Sequence, residues 1–259
     1  MPDIRLADVS EWQPNIDAAA YLAGGYRTLI VRAHSGYRPD KMMPARRDYL
    51  RGFPFAALGY YQYLAHDRDA AQQARELVST VGPLRANEFL VLDHEEGAGN
   101  QIARADAWFA VVDQAIGFKA TLYAGYFYCR DHLGGWGRWA NRPRWLAAYS
   151  TVEPGDPHEL WQNTDAARFP GLSGTVDGNI FHGDERRFAA VFTAGRGTVA
   201  PAPPKPADSR TARQSMTSVL KPGGGREVFV ELASGEVKHT WSDGGRWVLW
   251  RSLGTPGKR

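Results

Sequence analysis

A single cysteine, Cys129, stands in 259 residues. That excludes an internal disulfide framework and points to folding in a reducing cytoplasm. No apolar run reaches about 18 residues, so no transmembrane helix and no membrane partner is expected. The start, MPDIRLADVSEW, lacks a basic stretch followed by an apolar one, so no secretory signal is expected and any action outside the cell needs another way out. No glycine-rich phosphate loop follows an apolar run, which removes the nucleotide-binding fingerprint. The seven histidines are scattered, and His94-Glu95-Glu96 is not H-E-x-x-H. No metal site and no cofactor are therefore expected. A G-x-S-x-G elbow is also missing.

The chain does have an abrupt change of composition. TAGRGTVAPAPPKPADSRTAR, residues 193–213, is rich in Pro, Ala and Gly and poor in large apolar residues. Such a stretch reads as a semi-extended linker. It divides a region at 1–192 from one at 214–259. Charge changes with it: 193–259 carries 11 Lys and Arg against 5 Asp and Glu, whereas 1–192 carries 20 against 23. A basic tail implies an anionic partner such as a wall polymer, nucleic acid or membrane surface, or else serves solubility alone.

Eight β-forming runs lie in the first region, at 4–9, 28–33, 55–64, 88–93, 120–124, 144–149, 159–163 and 176–181. Apolar residues at spacings of three and four predict helices over 69–82 and 101–116. Asp69 would cap the first, and Gly117 would end the second in a left-handed turn. Strands alternating with helices imply a parallel sheet, and eight of them suggest closure into a barrel. The later strands stand too close together for crossover helices, so antiparallel pairing is expected there. A doubly wound open sheet is the alternative.

The stretch EFLVLDHEE, 88–96, ends an apolar strand in carboxylates. Side chains alternate along a strand, so Asp93 and Glu95 point the same way and His94 packs behind the sheet. Crowded, half-buried carboxylates have raised pKa values, which provides an acid beside a base. Glycosidic bond cleavage needs such a pair. Asp8 ends the first strand and Asp177 lies on the last, its neighbour in a closed barrel. Trp12, Tyr61, Tyr63, Tyr123, Tyr126, Tyr149 and Trp161 lie near strand ends, where aromatic faces stack on sugar rings. Glu96 reads as solvent-facing and Cys129 as buried and inert. GGWGRWANRPRW, 134–145, reads as a loop over a glycan groove.

Six motifs occur in order: DVSEWQ (8–13), GYYQY (59–63), LDHE (92–95), WLAAY (145–149), LWQNT (160–164) and FPGLSGTVDGNIFHG (169–183). Together they resemble the family 25 glycoside hydrolases, the Chalaropsis-type lysozymes, over about residues 4–192. The resemblance implies an α/β fold, a flattened, irregular TIM-like barrel of five βα units and three further strands. It implies cleavage of the β-1,4 bond between N-acetylmuramic acid and N-acetylglucosamine in bacterial peptidoglycan. By motif, Glu95 is the general acid, Asp93 tunes it, and Asp8 and Asp177 complete an acidic floor. Tyr61, Gln62, Trp12, Tyr123, Tyr149, Trp161 and Gln162 are the candidate substrate-binding residues. Gln62 and Tyr63 depart from the His and Phe usual in the family, so no titrating role is expected at 62. A non-catalytic glycan-binding protein with a degenerate barrel is the alternative.

The tail, 214–259, reads as three short strands (228–232, 236–242, 246–253) with a possible fourth at 218–221. Its F-x-x-x-x-x-G-x-x-x-H-x-W…W-x-x-W-x-x-L-G pattern resembles one blade of bacterial β-propeller lectins. The resemblance implies a small all-β wall-binding module using Trp241, Trp247 and Trp250. One blade cannot bury its own faces, so assembly into a homo-oligomer is expected, with Met216 a candidate internal start. Nucleic acid is disfavoured as a partner by the acidic mouth of the barrel. Lack of a signal with a linked binder suggests a phage endolysin, made in the host cytoplasm and released through a holin lesion.

Overall fold

The apolar runs become strands because β-branched and aromatic residues alternate between two buried faces, one lining a lumen and one meeting helices. In the computed structural model, which describes residues 3–196 in full and the backbone of five strands between 216 and 252, eight strands close into a barrel. These are β1 (Ile4–Val9), β2 (Thr28–His34), β3 (Ala57–Tyr63), β4 (Glu88–Asp93), β5 (Thr121–Gly125), β6 (Arg144–Ala147), β7 (Leu160–Ala167) and β8 (Val176–Phe181). Their bounds lie close to those read from the sequence. Strands β1 to β7 pair in parallel, and β8 runs antiparallel to both β7 and β1. Closure through the β1–β8 pair rules out the open doubly wound sheet.

A helix follows each of the first five strands: α1 (Ala18–Ala23), α2 (Ala45–Leu50), α3 (Ala70–Val81), α4 (Ile102–Ile116) and α5 (Tyr126–His132). As expected, Asp69 accepts from Gln72 N at the start of α3, and Gly117 takes a left-handed φ of 78° after α4. The long helices bury one face against the outside of the sheet. Ala74 and Leu77 of α3 join Trp108, Phe109 and Val112 of α4 and the outward residues of the strands, such as Leu58, Tyr60, Leu90 and Leu92.

Inside the barrel a second core is formed by Leu6, Ile30, Ala57, Phe89, Val91, Trp145, Leu160 and Phe181. A further helix, α6 (Glu185–Phe192), closes the end where the parallel strands begin. Its Phe188 and Phe192 stack against each other, and both meet Phe89 and Phe181. Arg27, just before β2, ties Glu185 of α6 at 2.9 Å. Phe89 fits because β3 offers no side chain opposite it: a Cβ on Gly59 would come within 2.6 Å of its ring.

The chain divides into two compact units, Met1–Ala200 and Pro201–Arg259. The first continues beyond 192. Thr193 is buried, and Arg196 donates to Glu88 O at 3.1 Å with its guanidinium 4.0 Å from the Phe118 ring. Residues 193–196, read from the sequence as the start of the linker, therefore belong with the barrel, and Thr193 still caps α6 by donating to Ala189 O. The second unit contains strands β9 (Met216–Leu220), β10 (Arg226–Glu231), β11 (Val237–Asp243), β12 (Arg246–Trp247) and β13 (Arg251–Ser252). All pair antiparallel, with β12 and β13 on opposite ends of one edge of β11. Trp250 lies outside the described residues, as do the side chains of Trp241 and Trp247.

Candidate active site

Strand parity determines what enters the lumen. On β1, Leu6 and Asp8 face in while Ala7 and Val9 face out; on β4, Phe89 and Val91 face in, and so does Asp93. The apolar residues occupy the end closed by α6. The next inward position toward the open end is occupied by polar groups: Asp8 on β1, Arg32 on β2, Tyr61 on β3, Asp93 on β4, Tyr123 on β5, Gln162 on β7 and Asp177 on β8. Since β8 runs the other way, Asp177 reaches the open end from the strand's beginning. There it pairs directly with Asp8.

The four predicted carboxylates come together. Asp8 and Asp177 are hydrogen-bonded across the β1–β8 pair. Asp93 is hydrogen-bonded to Glu95, just past the end of β4. Two carboxyl groups form such a bond only with a proton between them. Burial, then the charge of Asp177, pushes Asp8 up to about 7. Burial, then the charge of Glu95 with Asp8 behind it, raises Asp93 well above the usual carboxylate range, against a weak opposing pull from Arg32. Its Oδ1 is buried without a donor. Burial also raises Asp177, with Asp8 opposing as a hydrogen-bond donor. Glu95 is exposed to solvent at the mouth, yet the walls crowd it enough that burial raises it too, with Asp93 donating against that trend and Asp177 adding to it. The site can therefore hold protons near neutrality on buried carboxyls behind more accessible ones.

The aromatic candidates divide. Tyr61 is packed among Asp8, Asp93 and Asp177, whose charges raise its hydroxyl further after burial. Tyr123 lies on the wall and donates to Gln162 Oε1 at 2.8 Å. Trp12 and Tyr149 stand on the rim, 77% and 59% exposed. Tyr63 reaches Glu96, which also pairs with His66 at 2.9 Å.

Three expectations fail on orientation. Gln62 is not at the mouth. Parity sends it out behind the sheet, where Trp108 Nε1 donates to its Oε1 at 2.7 Å and its amide donates to Gln73 O at 2.9 Å. Trp161 is 5% exposed in the outer core, its indole donating to Ala148 O, because its neighbour Gln162 takes the inward position. The loop at 134–145 does not cover a groove: Trp136 and Trp139 are buried, and Arg142 stacks 3.4 Å from the Phe109 ring of α4. His94 packs behind the sheet as expected, where burial lowers it to about 4. Cys129 is buried and pushed up to about 12.

Two members of the site carried no sequence signal. Arg32 enters the mouth and is held by Glu11 at 3.1 Å and Asp40 at 3.0 Å. Asn179 donates to Asp8 Oδ2 at 2.8 Å. The only trace of Arg32 was one charge inside the apolar run TLIVRA.

Comparison with known proteins agrees with this geometry. The family described as Glycosyl hydrolases family 25 matches residues 7–172. Uncharacterized protein YegX of Escherichia coli O157:H7 is 29% identical over 195 residues, covering 71% of each chain. The bacterial lysozyme from Streptomyces coelicolor superposes with a TM-score of 0.66 at 22% identity, over 75% of this chain and 99% of its own. The catalytic domain of endolysin ply40, from bacteriophage P40 of Listeria monocytogenes, gives 0.64 at 24% identity, over 73% and 97%. The two structures share the fold, and the family match spans both strands and loops that carry Asp8, Asp93 and Glu95. This chain belongs to glycosyl hydrolase family 25 and is a glycoside hydrolase.

Proposed function

We propose that the chain is a muramidase that hydrolyses the β-1,4 bond between N-acetylmuramic acid and N-acetylglucosamine in bacterial peptidoglycan. One observation carries the reading: Asp8, Asp93, Glu95 and Asp177 converge at the open end of a barrel whose other end is packed shut. Cleavage needs a proton for the leaving oxygen and a carboxylate for the charge that develops at the anomeric carbon. Glu95 is the general acid, since it reaches solvent and has a raised pKa. Asp93 shares a proton with Glu95 from the buried side and restores it after transfer. Asp177, opposite, orients either the substrate's acetamido group or a water. The acetamido route is favoured and predicts retention at the anomeric carbon, read by NMR of fresh product. The rim residues Trp12 and Tyr149 offer faces to sugar rings on either side.

That the Streptomyces neighbour is a lysozyme and the phage neighbour an endolysin supports the reading. An endolysin role follows as a narrower proposal, with release to the wall through a holin lesion. The C-terminal unit is proposed to bind a glycan or anionic wall polymer, and its sheet to assemble between chains; mass measurement of the intact protein tests the assembly, and a strict monomer overturns it. For the reaction, the test is turbidity clearing of purified walls. Wild type is expected to clear them, and Glu95→Gln to lose on the order of 10²- to 10⁴-fold in rate. Equal clearing by both removes Glu95 as the acid; no clearing by wild type on any wall favours a glycan-binding protein.

A further inference from the structure

Two amides in the deep wall of the site have no acid–base chemistry of their own, yet every atom of them is engaged. Gln162 and Asn179 are 1% and 2% exposed. Both donate to the same oxygen, Asp8 Oδ2, at 3.0 and 2.8 Å. A free amide could turn over and offer its carbonyl instead. Asn179 cannot do so here. Trp145 Nε1 donates to Asn179 Oδ1 at 2.7 Å, and an indole nitrogen is a donor only. The Asn179 amide also donates to Leu6 O at 3.3 Å, an atom that only accepts. Tyr123 OH holds Gln162 Oε1 at 2.8 Å.

Two N–H donors on one carboxyl oxygen leave no room for a proton there. A proton on Asp8 must sit on Oδ1. The register of β1 and β8 places Asp177 opposite, and the two carboxyls are bonded. We propose that Gln162 and Asn179 are positioning residues: by occupying Oδ2, their amides place the proton that burial keeps on Asp8 at Oδ1, toward Asp177, so that Asp177 is the anion of the pair at the mouth. Burial, then Asp177, raises Asp8 to about 7 and outweighs the two amides, whose donation by itself favours the ionised form; their part is to choose the oxygen, not to hold the proton. The other groups facing Asp8 do not compete. Tyr61, Tyr123, Tyr149 and Tyr21 are neutral, burial raises Asp93 well above the usual carboxylate range, and Arg32 is taken by Glu11 and Asp40. This rests on the hydrolase reading only for its purpose, since an anionic Asp177 is what would orient an acetamido group or a water.

The test is carboxyl ¹³C NMR titration of Asp8 and Asp177 in the full chain, with kcat and KM measured across pH. In wild type at pH 6, Asp8 is expected protonated and Asp177 ionised; the reverse overturns the proposal. Asn179→Asp and Gln162→Glu keep shape but set a carboxyl against Asp8 Oδ2, which draws the proton there. The Asp177 midpoint is then expected to rise by on the order of one unit, and kcat at pH 6 to fall about tenfold with KM little changed. Variants that melt earlier but leave both midpoints in place make the amides merely structural and overturn the proposal. If the variants do not fold, the wild-type titration alone decides. A wild type without hydrolytic activity would end the muramidase reading, while the titration would still judge the clamp.

Discussion

The two halves of the barrel lumen are built on the same strands and differ in everything else. Near α6, Leu6, Phe89 and Phe181 form one apolar cluster with Phe188 and Phe192. Two to four residues away on the same strands, toward the open end, Asp8, Asp93 and Asp177 crowd together with raised pKa values. Holding carboxyls out of water costs free energy, and a well-packed apolar floor offsets it. The difference teaches that the chemistry occupies one layer of a core, positioned by the rigidity of the layer beneath.

Breaking that division in the chemical layer should have the largest effect. Asp93→Asn keeps a donor toward Glu95 but holds no transferable proton, so kcat should fall on the order of 10²- to 10³-fold with little change in melting temperature. In the packed layer the effects exchange. Phe89→Ala should cost about 3 kcal/mol or more of stability by chemical denaturation while sparing kcat in the protein that remains folded. Gly59→Ala, which thrusts a Cβ to 2.6 Å from the Phe89 ring, should cost about 1–3 kcal/mol by the same measurement.

A pH series sharpens the comparison. The fold raises Asp8 from the ordinary 3.8 to about 7, so folded protein binds its proton more tightly than unfolded protein does. The stability this provides is complete below the ordinary value and is lost as pH rises through about 7. Melting temperature should therefore fall between about pH 4 and 7 on this account, and Asp8→Asn, which copies the neutral form, should flatten that fall. The smallest effect should come from the rim: Trp12→Ala, at an exposed position, should raise KM severalfold without changing the pH profile.

Much of this was legible in the sequence, for definite reasons. The strands were legible because their apolar runs are bounded by polar residues, and the ends of α3 and α4 because Asp69 and Gly117 are local signals. Asp93 and Glu95 were legible as a pair because parity alone puts them on one side. The same parity argued against Gln62 once Tyr61 faced inward, and against Trp161 once Gln162 did; family resemblance carried Gln62 to the mouth despite it, and position near a strand end carried Trp161. Arg32 and Asn179 were not legible, since their partners are remote in the chain: Asn179 meets Asp8 across 171 positions. The tryptophans at 136 and 139 showed composition without direction, and direction came from Phe109 and Arg142.

The reversal of β8 has a consequence for the open end. A final stave running with the others would emerge at the rim, and whatever followed would have to leave across the working end. Running backward, it delivers Asp177 on the way in and takes the chain away at the base, where α6 acts as the stopper. Among the described residues the chain thus leaves the barrel away from its open end, and none of its own exit has to cross the layer of carboxylates.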